Sequence, residues 1–152
     1  MTLIFLWRAL VIAFGCAAAG IDIKTKKIPN ALILAMLASW AATIAPALIL
    51  DAGTAAALLR DSAAGLAAGG AVFVSVYIVS RRGLGGGDVK FMAAAGLYIG
   101  FPGTLSAMLY GTALAALTGV LLLLLKKAGP KDAIPLAPFL CAGIIIAVMT
   151  GS

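Results

Sequence analysis

The sequence predicts an all-α polytopic membrane protein with about six transmembrane helices. Of its 152 residues, 64% are hydrophobic and 11% are charged, whereas a soluble domain is typically about 45–50% apolar. Each span needs about 20 apolar residues, so six spans would occupy about 120 residues and leave only short loops. We therefore expect residues 1–152 to form a single integral membrane domain.

Two acid–base residue types are absent, and their absence limits the chemistry. The chain has no histidine and no glutamate, and its five acidic residues are Asp22, Asp51, Asp61, Asp88 and Asp132. Without histidine it cannot build a Ser-His-Asp triad or an H-E-x-x-H zinc helix. Cys16 and Cys141 lie in apolar runs and form no C-x-x-C pair, so we expect them to pack rather than to bind a metal or form a disulfide.

Apolar runs close to the length of a membrane span cover residues 3–21, 31–50, 62–80 and 134–150. Lysines follow the first run rather than precede it, which argues for a retained helix and against a cleaved signal peptide. Glycine recurs in these regions, as in Gly65-x-x-x-Gly69, and lets helix backbones approach closely in lipid. We expect such glycines to pack helices within one chain rather than to form a dimer face.

Residues 91–125 form a longer apolar stretch. As one helix it would be about 52 Å long, against a hydrocarbon core of about 30 Å, so it must be broken. Gly100-Phe101-Pro102-Gly103 supplies the break, because proline lacks a backbone donor and glycine tolerates the turn. A short fourth helix over residues 89–99 would rise only about 16 Å, so it either begins inside the preceding glycine loop or the bilayer thins around it. A fifth helix follows the break.

The basic residues predict the orientation. With six spans and the amino terminus outside, Arg60 lies on one face, and the other face receives Lys24, Lys26, Lys27, Arg81, Arg82, Lys90, Lys126, Lys127 and Lys131. Cytoplasmic loops are biased toward lysine and arginine, so the second face is the cytoplasmic one and both termini lie outside. We expect lipid around the chain and no nucleic acid partner, because long apolar runs separate the groups of basic residues.

Two aspartates on the predicted cytoplasmic face stand in unusual local sequence. Asp22 ends the first predicted helix, and Asp88 closes Gly85-Gly86-Gly87-Asp88 at the entry to the fourth. An aspartate near hydrocarbon is costly, so each is a candidate for function. The alternative for Asp22 is a turn residue neutralised by neighbouring lysines, and the alternative for Asp88 is a helix N-cap. The three glycines favour function for Asp88, because a cap does not require them.

Two further features of these loops are a residue with an expected structural role and a glycine loop that does not fit a phosphate-binding site. Pro29 and Asn30 precede the second apolar run, where asparagine is a favoured cap, so we expect Asn30 to be structural. The glycine loop fits neither the P-loop nor the dinucleotide-binding pattern, since Lys90 stands where the third glycine of the latter is required. An acid at the helix start would also oppose a bound anion.

Together these residues resemble the type IV prepilin peptidases, intramembrane aspartyl proteases with a GxGD motif. The resemblance rests on Asp22 followed by Ile28-Pro29-Asn30, on Gly85-x-Gly87-Asp88 followed by Val89-Lys90, and on Ile134-Pro135-x-x-Pro138-Phe139. It implies a GxGD aspartyl protease-like helical bundle in the bacterial inner membrane, with its catalytic loops facing the cytoplasm. It also implies that Asp22 and Asp88 are catalytic and that Gly85, Gly87, Lys90, Pro29 and Asn30 support the motifs.

The resemblance further implies a substrate and a mechanism. The substrate would be a prepilin or prepilin-like protein, cut at the cytoplasmic membrane boundary during pilus assembly. Two carboxylates in one site resist simultaneous ionisation, so one would act as a base and the other as an acid, with no metal or organic cofactor. Which aspartate begins as the base stays open, and so does the oligomeric state.

The sequence looks like the short form associated with Flp or tight-adherence pili. Larger relatives carry an added cytoplasmic region with C-x-x-C pairs and also N-methylate the new amino terminus. This sequence contains no such pair, so we expect no N-methylation domain. Two alternatives to a protease are an ion-coupled carrier in which Asp22 and Asp88 bind a cation, and a non-catalytic pilus-assembly membrane protein.

The charge asymmetry makes a direct prediction of membrane sidedness. Membrane-impermeant labels at Thr25, Ser80 and Lys131 should react from the cytoplasm, and labels at Thr54 and Ser152 from the opposite side. Single cysteines introduced into a chain without its native cysteines provide the measurement. Labelling of residues 25 and 131 from opposite sides would overturn the six-helix arrangement.

Overall fold

A computed structural model of the protein describes residues 2–80, 84–126 and 134–151. The described residues form five helices and no strand: α1 Thr2–Thr25, α2 Asn30–Leu50, α3 Ala52–Val79, α4 Gly86–Leu124 and α5 Ala137–Thr150. The first four are long and apolar enough to cross a membrane, and α5, with 14 residues, is shorter. The all-α prediction is confirmed. The expectations for Arg81, Arg82, Lys127, Lys131, Asp132 and Ser152 lie outside the described residues.

The predicted fourth and fifth helices both lie within α4, on either side of Gly100. The predicted break lies inside it, because Gly100 has non-helical backbone angles, with φ 68° and ψ −173°. Pro102 stands just after this residue, in the first turn of the following helix, where its missing N–H costs little. We call residues 86–99 the first leg of α4 and residues 101–124 the second leg. The first leg begins inside the glycine loop, which lengthens it beyond the predicted 89–99.

The chain reverses direction at Gly100. Gly65, in the middle of α3, packs against Gly100. Val76, near the end of α3, lines a groove together with Leu84, before the first leg, and Thr112, in the second. The two legs therefore run antiparallel to each other. The count of six membrane crossings stays a prediction.

Helix α3 begins well before the predicted run 62–80. Asp51 is its N-cap, and the Asp51 Oδ1 atom accepts hydrogen bonds from the backbone amides of Gly53 and Thr54, both at 3.1 Å. Side-chain oxygens of this kind satisfy amides that have no partner within the helix. The Thr54 hydroxyl also donates to Asp51, and these bonds hold the pKa of Asp51 below its ordinary value. Asp61 consequently lies inside α3.

Asp61 and Ser62 fasten α3 to the turn at Gly100. The Asp61 Oδ1 atom accepts a hydrogen bond of 3.1 Å from the backbone amide of Phe101, the first residue of the second leg. The buried Ser62 hydroxyl donates to the carbonyl oxygen of Leu97 at 2.7 Å. Asp61, a residue of α3, thus caps the second leg of α4, and no local sequence pattern predicts this contact.

Glycines bring the helix backbones together within the chain, as expected. A Cβ atom on Gly65 would overlap the carbonyl oxygen of Gly96, and one on Gly69 would lie 2.5 Å from the carbonyl oxygen of Met92. A Cβ atom on Gly143 of α5 would likewise overlap backbone of the second leg. Such approach allows close van der Waals packing in a bundle that gains little hydrophobic free energy in lipid.

Helices α1 and α5 also pack against each other. A Cβ atom on Gly15 would lie 3.1 Å from the Sγ atom of Cys141. Cys16 and Cys141 are free thiols whose Sγ atoms are 3.8 Å apart. The sequence predicted packing roles for both cysteines but not their proximity.

The backbone at Gly100 predicts a large effect of adding one methyl group there. Positive φ with ψ near 180° is open essentially only to glycine, and a Cβ atom would overlap the Asp61 carboxylate. Gly100→Ala should therefore lower the free energy of unfolding by about 2 kcal/mol or more. Thermal unfolding in detergent measures this.

The matched control is Gly20→Ala, since a Cβ atom on Gly20 would meet nothing within 4 Å in the described chain. This change should leave stability equal to wild type or slightly higher. Equal stability of Gly100→Ala and Gly20→Ala would contradict the described turn.

Candidate active site

Asp22 lies in the last turn of α1 and is buried, with 5% of its surface exposed. Its Oδ2 atom accepts a hydrogen bond of 3.1 Å from the backbone amide of Ala137, the first residue of α5. The first amides of a helix have no partner within it, and the helix amino terminus attracts negative charge. The first backbone amide of α5 therefore binds the carboxylate of Asp22 at the end of α1.

The segment after Asp22 is shaped by the end of α1. Lys26 has a positive φ of 52°, and its backbone amide donates to the carbonyl oxygen of Asp22 at 2.8 Å. This left-handed residue ends the helix and redirects the chain. The Thr25 hydroxyl donates to the carbonyl oxygens of Ile21 and Lys27, both at 3.0 Å. Residues 26–29 consequently cross toward the glycine loop.

Asp88 is the third residue of α4, where the partial positive charge of the helix amino terminus favours an acid. Its side chain is 8% exposed, and within the described chain its buried Oδ1 atom has no hydrogen-bond partner. A buried acceptor without a partner is costly and uncommon, so it suggests an atom reserved for water or substrate. The N-cap of α4 is Gly85, so the N-cap alternative for Asp88 is wrong.

The two aspartates share one cavity of about 370 Å³, with a lining of Asp22, Lys26, Lys27, Ile28, Gly85, Gly86, Gly87 and Asp88. The chain thus brings together residues that are far apart in sequence. Asp22 accepts a hydrogen bond from a backbone amide and forms no ion pair with a described lysine. This argues against the alternative that Asp22 is only a turn residue neutralised by neighbouring lysines. No group of three or more potential metal-ligating side chains occurs among the described residues.

The three glycines before Asp88 differ in what surrounds them. A Cβ atom on Gly85 would lie 2.6 Å from the Asp88 Oδ2 atom, and one on Gly87 would lie 3.1 Å from the Ile28 Cβ atom. A Cβ atom on Gly86 would meet nothing within 4 Å. The first glycine leaves room for the carboxylate and the third for the segment after α1, whereas the surroundings of the middle glycine place no such limit on it.

The remaining motif residues hold the loops together. The Lys90 Nζ atom donates a hydrogen bond of 3.0 Å to the Asn30 Oδ1 atom, joining the starts of α4 and α2. Pro29 is the N-cap of α2 and makes no side-chain cap bond. The expectation that Asn30 caps α2 is therefore wrong, because Asn30 is already the first helical residue and its side chain accepts from Lys90 instead.

Sequence reasoning missed two groups at this site. One is the Ala137 amide, although Pro138 beside it marked the helix start. The other is Ile28, which is buried where Gly87 leaves space for it. Nothing local to either residue reveals its partner, because both partners belong to distant segments of the chain.

Comparison with known proteins identifies a family and several relatives of this chain. Residues 9–124 match the model of the Type IV leader peptidase family. A prepilin leader peptidase/N-methyltransferase of Bacillus subtilis (strain 168) is 30% identical over 132 residues, covering 86% of this chain and 50% of the relative. One of the same name from Stutzerimonas stutzeri is 28% identical over 156 residues, covering 97% and 52%.

The chain therefore spans about half the length of these curated relatives. A shorter match, of 31% identity over 98 residues, is found with the protein of that name from Aeromonas salmonicida (strain A449) and covers 61% of this chain and 34% of the relative. No solved structure matches the chain.

The contact between Gly87 and Ile28 predicts a local rearrangement on substitution. A branched side chain at Gly87 would displace Ile28, whereas one at Gly86 has open space. A cysteine at position 28 should therefore be labelled slowly in the otherwise native chain and faster, by about tenfold or more, in the Gly87→Val background, because buried sites react only after local opening. The Gly86→Val background is the control and should leave the rate unchanged. Equal labelling in the two backgrounds would show that Gly87 does not secure this segment.

Proposed function

This chain belongs to the type IV leader peptidase family, and we propose that it is a membrane aspartyl endopeptidase that removes leader peptides from type IV prepilins of the Flp-like class. The observation that carries the proposal is the shared cavity of Asp22 and Asp88, in which one carboxylate oxygen is buried without a partner in the described chain. The proposal concerns only the leader-peptidase activity named for the relatives.

The proposed reaction is hydrolysis of one peptide bond by the aspartate pair. Two carboxylates in one cavity resist simultaneous ionisation, so the pair holds one shared proton. The ionised member takes a proton from water as the water oxygen attacks the peptide carbonyl carbon, while the protonated member donates to the carbonyl oxygen. The tetrahedral intermediate then collapses, the C–N bond breaks, and a proton passes to the leaving amine.

Each side chain has a structural reason to be in the right place for this reaction. The Ala137 amide fixes one oxygen of Asp22, and the first turn of α4 positions Asp88 above Gly85. Lys26 and Lys27 line the same cavity and attract negative charge that develops on the carbonyl oxygen.

We propose that the two legs of α4 and the other four helices each cross the bacterial inner membrane, with the catalytic end in the cytoplasm. The reversal at Gly100 supports this arrangement, because it returns the second leg to the end of the bundle that holds Asp88. Lys26 and Lys90 lie at this end. A separate cavity of about 210 Å³, which includes Arg8 and Asp61, lies at the other end, beside Gly100.

The lining of the catalytic cavity disfavours the alternative of a cation carrier. Lys26 and Lys27 border the same space as the two aspartates and would repel a bound cation. Burying two aspartates in one cavity is costly, which disfavours a non-catalytic assembly protein.

The central test is cleavage of a co-expressed type IV prepilin, followed by mass analysis of its new amino terminus. Asp22→Asn and Asp88→Asn should each lower cleavage by about 100-fold or more, because amides keep the shape but cannot exchange the proton. Asp51→Asn is the control and should cleave normally, since Asp51 caps α3 away from the catalytic cavity and an amide oxygen can still accept those bonds.

Membrane-inserted protein is quantified in each variant. Near-normal cleavage by either catalytic variant would reject the aspartyl mechanism, and aspartate-dependent cation flux in liposomes without cleavage would favour the carrier.

Substitutions at two neighbouring glycines of the loop should differ in their effect on kcat. Gly85→Ala places a methyl group 2.6 Å from the present position of the Asp88 Oδ2 atom and must move that carboxylate. It should lower kcat by about tenfold or more with little change in KM. Gly86→Ala meets open space and should retain normal kcat. Equal kcat values for the two variants would show that Gly85 does not position Asp88.

A further inference from the structure

The cavity of about 210 Å³ beside Gly100 lies between helices that do not otherwise meet. We call it the distal cavity, and its lining includes Ile4, Arg8, Leu58, Asp61, Ile99 and Pro102. In the described chain, no residue of α1 has its Cα atom within 8 Å of a Cα atom of α3, so the cavity fills a gap between these two helices. Arg8 is partly buried on the α1 side and Asp61 is exposed on the α3 side. The distal cavity therefore has a cation on one wall and an anion on another.

The two charged side chains of the distal cavity do not neutralise each other. Within residues 2–80, 84–126 and 134–151, the Arg8 guanidinium group makes no ion pair and no hydrogen bond. The Asp61 Oδ1 atom accepts the Phe101 amide at 3.1 Å, and the Oδ2 atom has no hydrogen-bond partner in the same residues. Unpaired charges beside hydrocarbon are costly and mark candidate functional sites. Each of these groups is therefore available to a ligand group of opposite charge.

This arrangement of charges favours a ligand that carries both signs. A simple anion would be attracted by Arg8 and repelled by Asp61, and a simple cation would meet the reverse. A phosphate group matches the planar donors of a guanidinium group, and an ammonium group matches a carboxylate oxygen. The volume of the distal cavity equals that of about seven water molecules at about 30 Å³ each, which is room for a phosphate group and a short amine.

The aromatic residues of the lining indicate which kind of ammonium group fits. Trp7 and Tyr98 are each 3% exposed, and their rings are in edge-to-face contact with centroids 6.4 Å apart. The Trp7 ring also packs against the Trp40 ring, with centroids 6.1 Å apart. A quaternary ammonium group binds to open aromatic faces, and these buried rings offer little of theirs. A primary ammonium group instead donates hydrogen bonds, which the Asp61 Oδ2 atom can accept.

We propose that the distal cavity binds the headgroup of a zwitterionic phospholipid that carries a primary ammonium group, such as phosphatidylethanolamine. The phosphate group lies against Arg8 and the ammonium group donates to Asp61, so the lipid joins α1 to α3. The acyl chains run along the apolar surface beside the cavity, where Ile4 is 44% exposed and Phe101 is 45% exposed. The distal cavity lies at the end of the bundle opposite Asp22 and Asp88, so the inference does not depend on the peptidase reaction.

Two arginines provide a matched pair of substitutions for the test. Arg8 lines the distal cavity, whereas Arg60, next to Asp61 in sequence, does not line it and donates to the carbonyl oxygen of Ala56 at 3.3 Å. Thermal unfolding of the full chain is measured in detergent with added phosphatidylethanolamine or with phosphatidylcholine of the same acyl chains. Phosphatidylethanolamine should give the wild type a Tm about 4 °C or more above that in phosphatidylcholine. Arg8→Gln should abolish this difference, and Arg60→Gln should keep it.

Asp61→Asn tests the other wall of the distal cavity. Its amide oxygen can still accept the Phe101 amide, but it no longer attracts an ammonium group, so the difference in Tm between the two lipids should disappear here as well. Native mass spectrometry measures lipid binding without relying on thermal stability. Phosphatidylethanolamine should bind to the wild type and to Arg60→Gln about fivefold or more tightly than to Arg8→Gln or Asp61→Asn.

Three outcomes would overturn the inference. The first is equal Tm and equal binding of the wild type with phosphatidylethanolamine and with phosphatidylcholine. The second is equal stabilisation by phosphatidylglycerol, which has a phosphate group but no ammonium group and would indicate a simple anion site. The third concerns soluble phosphoethanolamine, which lacks acyl chains and should shift the Tm little at the same concentration. A shift as large as that given by the lipid would show that the group comes from solution rather than from the membrane.

Discussion

Two carboxylates buried at the end of an apolar helical bundle are the constraint on which the rest of this structure depends. A buried charge is costly unless hydrogen bonds or opposite charges compensate it. Asp22 receives the first amide of α5, and Asp88 lies in the first turn of α4, so both carboxylates use the positive ends of helices. The start of the last helix must therefore lie beside the end of the first, which fixes how the bundle closes.

At the opposite end of the bundle, another aspartate binds the start of a helix. Asp61 accepts the amide that begins the second leg of α4, and the backbone there adopts a conformation that glycine tolerates at Gly100. This turn sends the second leg back toward the end of the bundle that holds Asp22 and Asp88. Glycines in α3 and α5 then let the two legs pack closely against their neighbours.

The proposed peptidase would accordingly carry out hydrolysis in the cavity that Asp22 and Asp88 line. The catalytic cavity is polar, with two aspartates and two lysines in its lining, and suits water and an extended peptide. The amide at the start of α5 and the glycine loop before α4 hold the two aspartates in its walls.

The sequence by itself determined the features that depend on neighbouring residues. Hydrophobic length predicted the helices, glycine and proline predicted the break at Gly100, and the setting of Asp22 and Asp88 identified the candidate pair. Helix length and backbone freedom are local properties, so a short window of sequence is enough to read them.

Only the tertiary structure decided which groups meet across the bundle. It gave Asn30 a partner in Lys90 rather than a capping role, placed Ile28 against Gly87, and directed the Ala137 amide to Asp22. Each of these contacts joins segments that are distant in sequence. They depend on how the helices are rotated and packed against one another, and small residues permit many such packings in lipid, so the local pattern leaves the choice open.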